Sequence, residues 1–277
     1  MLKYLKKLFT KQMFHIENGV FKLDYFLYEV VHHCNLKCKG CDHCAPLADP
    51  EFVDLTQYSK DIKRMSEIFP DVKAIGIMGG EPLLHPNLLE IIKITRNNFS
   101  SAKINLYSNG ILLQSQKEEF WNVLKQNNIK ICITFYDIDI NFKKVLETAK
   151  KFDVEIYTER EYLNNKLPFD KIKYDINGKQ ASWLSHFLCR HSGRFPSLEY
   201  GKLYKCTIMC GARHFNKYFN KNMVITEKDY IDIYKEVSQK ELIDYFEKSN
   251  PFCKYCNILG QDLFFWERSK KDIKEWT

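Results

Sequence analysis

The sequence predicts an α/β fold: a partial (βα)6 barrel of parallel strands followed by a small, cysteine-rich C-terminal region. Between residues 24 and 159, stretches typical of buried strands alternate with amphipathic stretches that have a helical period. After residue 177 the alternation ends and cysteines recur at irregular intervals. Strands that alternate with helices form parallel sheets, because each helix returns the chain to the same end of the sheet.

The βα units follow one another along the chain. Strands are predicted at DYFLYEVVHH, VKAIGIM, AKINLYSNG, IKICITFYD and DVEIYTE, with a sixth near residues 170–176. Helices are predicted at TQYSKDIKRMSEIF, NLLEIIKIT, QKEEFWNVLKQ and FKKVLETAKKF. In the first of these, Tyr58, Ile62, Met65 and Phe69 recur at helical spacing, and Pro70 ends the helix.

Three regions are expected. Residues 1–23 are expected to form a basic amphipathic helix, which packs on the body of the protein or contacts an anionic membrane surface or a partner. Residues 24–177 are expected to form the barrel and residues 178–277 the C-terminal region. In that last region, SLEYGKLYKC is typical of a strand–turn–strand unit and KELIDYFEK of a helix.

Composition narrows the class of protein. The chain has 277 residues, 45% of them apolar, with a formal net charge of +7 spread among mixed lysines and acids. This mild charge favours solubility and predicts no nucleic-acid partner. No signal peptide and no run of about 18 apolar residues are recognised, so we expect a cytoplasmic protein. Its ten cysteines are then expected to be reduced, and clustered reduced thiols suggest metal binding.

Four cysteines follow the first predicted strand, within HHCNLKCKGCDHC. They are Cys34, Cys38, Cys41 and Cys44. In βα folds, the loops at the carboxyl ends of the strands build the active site. A compact loop of thiolates holds either zinc or an iron–sulfur cluster, and the spacing alone does not separate these alternatives.

CNLKCKGC resembles the CxxxCxxC loop of the radical S-adenosylmethionine (SAM) enzymes. GGEP at 79–82 is similar to that family's motif at the end of the second strand, and SNG at 108–110 to the turn after the third. The resemblance covers residues 25–160 and implies that Cys34, Cys38 and Cys41 bind a [4Fe–4S] cluster with one iron open to SAM. Two features depart from the family: Gly40 replaces the usual aromatic residue before the third cysteine, and Cys44 is extra and without an assigned role.

The resemblance also implies how SAM is bound and used. Gly79 and Gly80 are expected to let the backbone approach a ligand, Glu81 to accept a hydrogen bond from the methionine ammonium, and Thr134 to contact SAM. One electron, from a flavodoxin- or ferredoxin-type donor, then cleaves SAM to a 5′-deoxyadenosyl radical, which removes a hydrogen atom from the substrate. The full set of expected cofactor-binding residues is Gly79, Gly80, Glu81, Ser108, Asn109 and Thr134.

A second set of cysteines has the pattern C-x11-G-x4-C followed by C-x2-C. This pattern resembles the auxiliary-cluster region of the SPASM/twitch radical SAM enzymes and implies one auxiliary [4Fe–4S] cluster, with Gly201 at a hairpin turn. Two alternatives stay open: Cys206 pairing locally with Cys210, and a structural zinc in the same four thiolates. The expected ligands are Cys189, Cys206, Cys253 and Cys256.

An auxiliary cluster implies an oxidation. In the enzymes that the chain resembles, such a cluster takes an electron from the substrate radical, so we expect dehydrogenation of a small polar molecule such as a sugar or aminocyclitol. Only about 30 residues precede the first cysteine, which disfavours a peptide-recognition domain. Asp137 and Arg160 follow the fourth and fifth strands and are candidate catalytic residues. The alternatives are a maturase that modifies a peptide or protein and a non-enzymatic interaction module that binds zinc through four thiolates.

Overall fold

Twelve strands and seven α-helices occur in the part of the chain that the computed structural model describes, which is residues 12–136, 138, 140–159, 166 and 168–277. The strands are β1 (Phe14–Glu17), β2 (Val20–Leu23), β3 (Tyr25–Val31), β4 (Ala74–Gly79), β5 (Lys103–Ser108), β6 (Ile129–Ile133), β7 (Ile156–Tyr157), β8 (Pro168–Tyr174), β9 (Ser197–Glu199), β10 (Lys202–Tyr204), β11 (Tyr230–Asp232) and β12 (Cys256–Phe265). The helices are α1 (Leu55–Ile68), α2 (Leu88–Asn98), α3 (Glu118–Gln126), α4 (Phe142–Lys151), α5 (Ser182–Leu188), α6 (Thr207–Phe219) and α7 (Gln239–Glu247).

The predicted βα barrel strands form one sheet. Strands β3, β4, β5, β6 and β7 are parallel and lie side by side in chain order. Their apolar residues pack against the helices; Ile75 and Ile77 of β4, for example, share a core with Tyr58 and Ile62 of α1. Helix α1 begins where the Asp54 carboxylate accepts hydrogen bonds from two backbone amides of the first turn. The mixed α/β fold is therefore confirmed.

The sixth barrel strand is not where the sequence predicted it. Strand β8, at residues 168–174, overlaps the predicted segment, but it pairs antiparallel with β12 rather than joining the parallel sheet. The place beside β3 is taken by β9, which is parallel to it, and β10 and β11 continue the sheet by antiparallel pairing. A buried strand pattern does not specify its partner, so this pairing depends on contacts distant in sequence.

The N-terminal helix prediction is wrong for residues 12–23, and residues 1–11 lie outside the described part of the chain. Strands β1 and β2 form an antiparallel hairpin there. Its turn is Asn18–Gly19, and both residues have positive φ, 49° and 78°. Asn-Gly is the strongest short-range sign of a hairpin, because a type I′ turn needs positive φ at both central positions.

The C-terminal region does not form a separate layer after residue 178. Strands β9–β11 extend the barrel sheet, whereas β8, from within the predicted barrel, pairs with β12. A second apolar core joins β8, α6 and the C-terminal segment; it includes Tyr174, Phe215, Phe252 and Trp276. Among the described residues, no helix has both the length and the apolar character needed to cross a bilayer.

Candidate active site

The first three cysteines lie in the loop that leaves the carboxyl end of β3. Cys38 is buried, and Cys34 and Cys41 are half-buried. Gly40, between Cys38 and Cys41, has φ 60°, and a Cβ there would lie 3.2 Å from the ring of Phe264 in β12. The loop can turn at this point because glycine adopts a positive φ without strain. An aromatic ring from β12 thus packs where this chain lacks the family's aromatic residue.

Polar hydrogens point at the sulfurs of this loop. The Leu36 amide and the Asn109 side-chain amide donate to the Cys34 Sγ, at 3.4 and 3.5 Å, and the Trp266 indole donates to the Cys38 Sγ at 3.2 Å. Such donors stabilise a thiolate rather than a thiol.

Burial opposes ionisation of these thiols while no metal is bound. It raises the pKa of Cys34 and of Cys38 to about 12, and repulsion from the neighbouring Cys41 adds to the effect. A metal cation would offset both costs, because thiolate ligands are deprotonated by the metal that they bind. The donor set therefore fits a metal centre held by three thiolates.

The Glu81 side chain connects the GGEP motif at 79–82 with the SNG motif at 108–110. Its side chain is fully buried, and its two oxygens accept from the Ser108 hydroxyl at 2.8 Å, the Asn109 amide at 2.8 Å and the Leu83 amide at 3.1 Å. Burial raises the pKa of Glu81 to about 7 even though these donors oppose the rise. The carboxyl group therefore holds the turn after β5 beside the cysteine loop, with Asn109 bridging to Cys34.

Gly79 and Gly80 approach the backbone of the cysteine loop. A Cβ at Gly79 would lie 2.0 Å from the Val31 carbonyl oxygen, and one at Gly80 would lie 1.9 Å from the His33 carbonyl oxygen. The Gly80 amide donates to Val31 at 2.6 Å. The structure shows a close approach to the protein's own backbone, and no larger residue fits at either position. The expected approach to a ligand stays a prediction.

Thr134 ends β6 next to the same turn. Its backbone amide donates to the Ser108 carbonyl at 3.3 Å, and its side chain is half-buried. The six expected cofactor-binding residues therefore lie on the adjoining ends of β4, β5 and β6. Asp137 and Arg160, the candidate catalytic residues, lie outside the described residues.

The second set of cysteines comes from four places in the chain. Cys189 follows α5, Cys206 precedes α6, Cys253 lies in a 3₁₀ helix and Cys256 begins β12. All four are buried, and Cys256 interacts electrostatically with each of the other three. The four thiols therefore influence one another's ionisation, and their grouping as one ligand set stays a prediction. Among the described residues, no three His, Cys, Asp or Glu side chains are arranged around a single metal ion.

Cys210 lies one turn along α6 from Cys206 and has different surroundings. Burial raises its pKa, as do the nearby carboxyl groups of Glu29 and Glu199. Cys44 is also buried away from the second set, with its Sγ 3.9 Å from the Tyr174 hydroxyl of β8. Cys210 also interacts with Cys206, and Cys44 with Cys41, so the membership of the two cysteine sets stays a prediction.

Charged pairs connect α6 and the cysteine loop to neighbouring elements. Arg213 of α6 contacts Glu199 at 2.8 Å and Glu51 at 3.0 Å. The His43 imidazole, within the cysteine loop, lies 3.0 Å from the buried Glu29 of β3. Buried charges persist only when paired. Arg213 therefore joins α6, which starts at Thr207, to β9 and to Glu51, and the His43–Glu29 pair joins the cysteine loop to β3.

Phenols line the face of the sheet opposite the helices. The Tyr25 hydroxyl donates to the Tyr107 hydroxyl at 3.1 Å, and a Cβ on Gly76 would collide with both side chains. Tyr157 of β7 interacts with Tyr107 and with Cys132. This face of the sheet carries phenol hydroxyl groups, and sequence analysis did not single it out.

The C-terminal segment supplies further contacts that sequence analysis missed. Trp266 donates to Cys38, and the Trp276 indole donates to the Cys41 carbonyl at 3.0 Å. The Lys39 amide donates to the Glu267 carbonyl at 3.0 Å. The sequence showed only an apolar tail after CKYC, and no local pattern indicates which loop such a tail covers.

The structure thus has a parallel βα sheet with three cysteines in the loop after β3 and two glycines packed against that loop. Residues 28–158 match the family model described as the Radical SAM superfamily. The chain contains a radical SAM domain, and the family prediction is confirmed. Radical SAM proteins bind a [4Fe–4S] cluster and SAM, and the three-thiolate loop fits that cofactor.

Curated relatives match parts of the chain. A GTP 3′,8-cyclase of Clostridium perfringens (strain SM101 / Type A) is 27% identical over 150 residues, which are 53% of this chain and 45% of the relative. A GTP 3′,8-cyclase of Clostridium botulinum (strain Hall / ATCC 3502 / NCTC 13319 / Type A) is 26% identical over 257 residues, 85% of this chain and 77% of the relative. The antilisterial bacteriocin subtilosin biosynthesis protein AlbA of Bacillus subtilis (strain 168) is 31% identical over 103 residues, 37% of this chain and 22% of the relative.

Among solved structures, BtrN in complex with AdoMet and 2-DOIA is similar to this chain. The TM-score is 0.52 at 16% sequence identity, and the match covers 84% of this chain and 92% of that one. At this identity the similarity establishes the fold.

Proposed function

We propose that this radical SAM enzyme removes a hydrogen atom from a small polar substrate and completes an oxidation with the help of an auxiliary [4Fe–4S] cluster. The observation that carries the proposal is the second set of four buried, mutually interacting thiols, Cys189, Cys206, Cys253 and Cys256. Four cysteine ligands complete a [4Fe–4S] cluster and leave no iron open to substrate, so this centre suits electron transfer rather than substrate binding.

The first loop supplies the other half of the reaction. Cys34, Cys38 and Cys41 would hold the cluster that, when bound with SAM, provides the 5′-deoxyadenosyl radical. Ser108 and Asn109, fixed by Glu81, would position SAM together with Thr134. Residues around the loop exclude water, which protects a reactive radical from side reactions.

The phenol-lined face supports a polar substrate. Tyr107 and Tyr157 present hydroxyl groups, and the Glu159 carboxylate interacts with both. Oxidation of an alcohol to a ketone releases two electrons and two protons. One hydrogen atom leaves with the radical, one electron passes to the auxiliary cluster, and the hydroxyl proton needs a base, a role that Glu159 fits. Asp137 and Arg160, which lie outside the described residues, remain proposed catalytic residues.

The substrate class is tested by turnover. Anaerobically reconstituted protein is incubated with SAM and dithionite, and 5′-deoxyadenosine and products are followed by mass spectrometry. The panel includes sugars, aminocyclitols, GTP because of the similarity to the cyclases, and peptides because of the similarity to AlbA. Loss of two hydrogens from a small alcohol supports the proposal. Modification of a peptide, or reaction of GTP alone among the compounds tested, overturns the proposed substrate class.

The auxiliary cluster is tested by metal analysis. We expect about eight irons per chain, falling to about four in Cys189→Ser, with cleavage of SAM retained. A colourless protein that contains zinc would instead support an interaction module. The electron donor is proposed to be a flavodoxin- or ferredoxin-type protein, since the net charge of +7 attracts an acidic partner.

A further inference from the structure

Strand β8 runs between the two cysteine sets. In the β8–β12 pair, Tyr174 lies opposite Cys256 of the second set. The hydroxyl of the same tyrosine lies 3.9 Å from the Sγ of Cys44, which follows the first set, and donates to the Ile208 carbonyl at 2.9 Å. One buried strand therefore contacts both halves of the site.

The same strand carries a buried cation. Lys171 is 1% exposed, and its Nζ lies 2.9 Å from the Asp42 carboxylate, directly after Cys41. Burial alone would lower the pKa of Lys171, yet Asp42 and the nearby Cys44 and Cys41 raise it above its ordinary value. The ammonium group is thus held charged inside the protein, at a desolvation cost that only a nearby negative charge offsets.

The ion pair lies beside residues of both sets. Asp42 directly follows Cys41 of the first set, and Lys171 lies three residues before Tyr174, which is paired with Cys256 of the second. Asp42 also interacts with His191, whose backbone amide donates to the Cys189 Sγ at 3.3 Å. The buried pair is therefore flanked by neighbours of the proposed ligands of both clusters.

We propose that the Lys171–Asp42 pair is an electrostatic bridge that sets the reduction potentials of the two clusters, and that Lys171 and Asp42 act on them with opposite sign. This inference rests on the proposed function, because it requires both clusters. Reduction adds a negative charge to a cluster, so a buried cation favours the reduced form and a buried anion disfavours it. Both residues are positioning residues, since neither touches the substrate.

The test is an anaerobic redox titration of the reconstituted full-length protein, followed by electron paramagnetic resonance at both clusters. In Lys171→Met, we expect both potentials to become more negative, each by at least tenfold in the reduction equilibrium, or 59 mV for one electron. In Asp42→Asn, we expect the potential of the first cluster to become more positive. Lys171→Arg retains the charge and should restore the wild-type potentials.

A matched control comes from the same strand. Lys173→Met removes a lysine whose Nζ lies 2.8 Å from Asp262 in a pair that is partly exposed to solvent, and it should leave both potentials within a few millivolts of wild type, since solvent screens such pairs. Iron content, measured first for each variant, verifies that both clusters are present.

The outcomes separate the two proposals. Wild-type protein with only one cluster overturns both of them. Two clusters whose potentials do not move in Lys171→Met, or that move in the same direction in Lys171→Met and Asp42→Asn, overturn the bridge and leave the proposed function intact. If Lys171→Met does not retain its clusters, the sign of the Asp42→Asn shift alone decides: a positive shift supports the bridge, and a negative or absent shift overturns it.

Discussion

Replacing Glu81 with alanine removes the acceptor of three buried hydrogen bonds, from Leu83, Ser108 and Asn109. A buried donor left without an acceptor costs about 1–3 kcal/mol. The Ser108 hydroxyl can rotate to another acceptor, but the two backbone amides are fixed. The minimum loss is therefore about 2 kcal/mol, which is roughly a thirtyfold change in a local opening equilibrium. The turn after β5 should open accordingly more often.

The assay is amide hydrogen exchange followed by mass spectrometry on peptides that contain residues 105–113. Glu81→Gln keeps one acceptor oxygen, so its exchange should fall between those of the wild type and the alanine variant. Glu90→Ala removes an exposed glutamate that pairs with Lys93 on α2 and should leave these peptides unchanged. Exchange in Glu81→Ala within threefold of wild type would refute the reasoning, because it would mean that the buried carboxyl group does not hold this turn.

Three further perturbations follow from the same geometry. Gly80→Ala places a Cβ 1.9 Å from the His33 carbonyl oxygen, so we expect the loss of most iron from the first loop, measured by metal analysis; retention of full iron would contradict the close approach. Burial raises the pKa of Glu81 from 4.5 to about 7. Protonation of Glu81 therefore contributes about 3 kcal/mol to the free energy of unfolding below pH 4.5, and this contribution is lost as the pH rises through 7. Urea midpoints measured across that range should show the slope, and Glu81→Gln should flatten it. Cys44→Ser and Cys210→Ser should each keep the iron content of the wild type, and a loss of about four irons in either variant would show that the ligand sets are drawn wrongly.

Local patterns were sufficient for the barrel. The strands β3 to β7 and the helices α1 to α4 lie where alternation and helical periodicity predicted them. Each of these elements buries one face against its sequence neighbours, so its signal is contained within about ten residues. The cysteine loop was equally predictable from the sequence, because its cysteines are close together and directly follow a predicted strand.

Local sequence patterns did not indicate which strands pair with each other. The segment that forms β8 is strand-like in sequence. Its partner is β12, and no pattern in either segment indicates that the two strands pair. The N-terminal hairpin is a different kind of error. Asn18–Gly19 was a usable turn signal, and it was outweighed by a basic, apolar pattern in the residues before it.

The site residues fall into the same two groups: those that local sequence patterns indicate and those that only the folded structure brings together. Glu81, Ser108 and Asn109 belong to motifs, and the structure brings them together. Trp266 and Lys171 belong to no motif, and their roles arise from β8 and β12 folding back across the first loop. A lysine in a strand of mixed polarity predicts an exposed side chain, so its burial beside Asp42 could only be seen in three dimensions.

The C-terminal segment links the two halves of the site. Trp266 and Trp276, near the end of the chain, donate to Cys38 and to the Cys41 carbonyl in the first loop. Cys256 begins the strand that leads to Trp266. A metal centre that orders Cys253 and Cys256 therefore also fixes the start of the segment that covers the first loop, since ligand binding is folding free energy for the residues that it orders. We therefore expect metal binding at the second cysteine set to be coupled through β12 to the exclusion of water from the first loop.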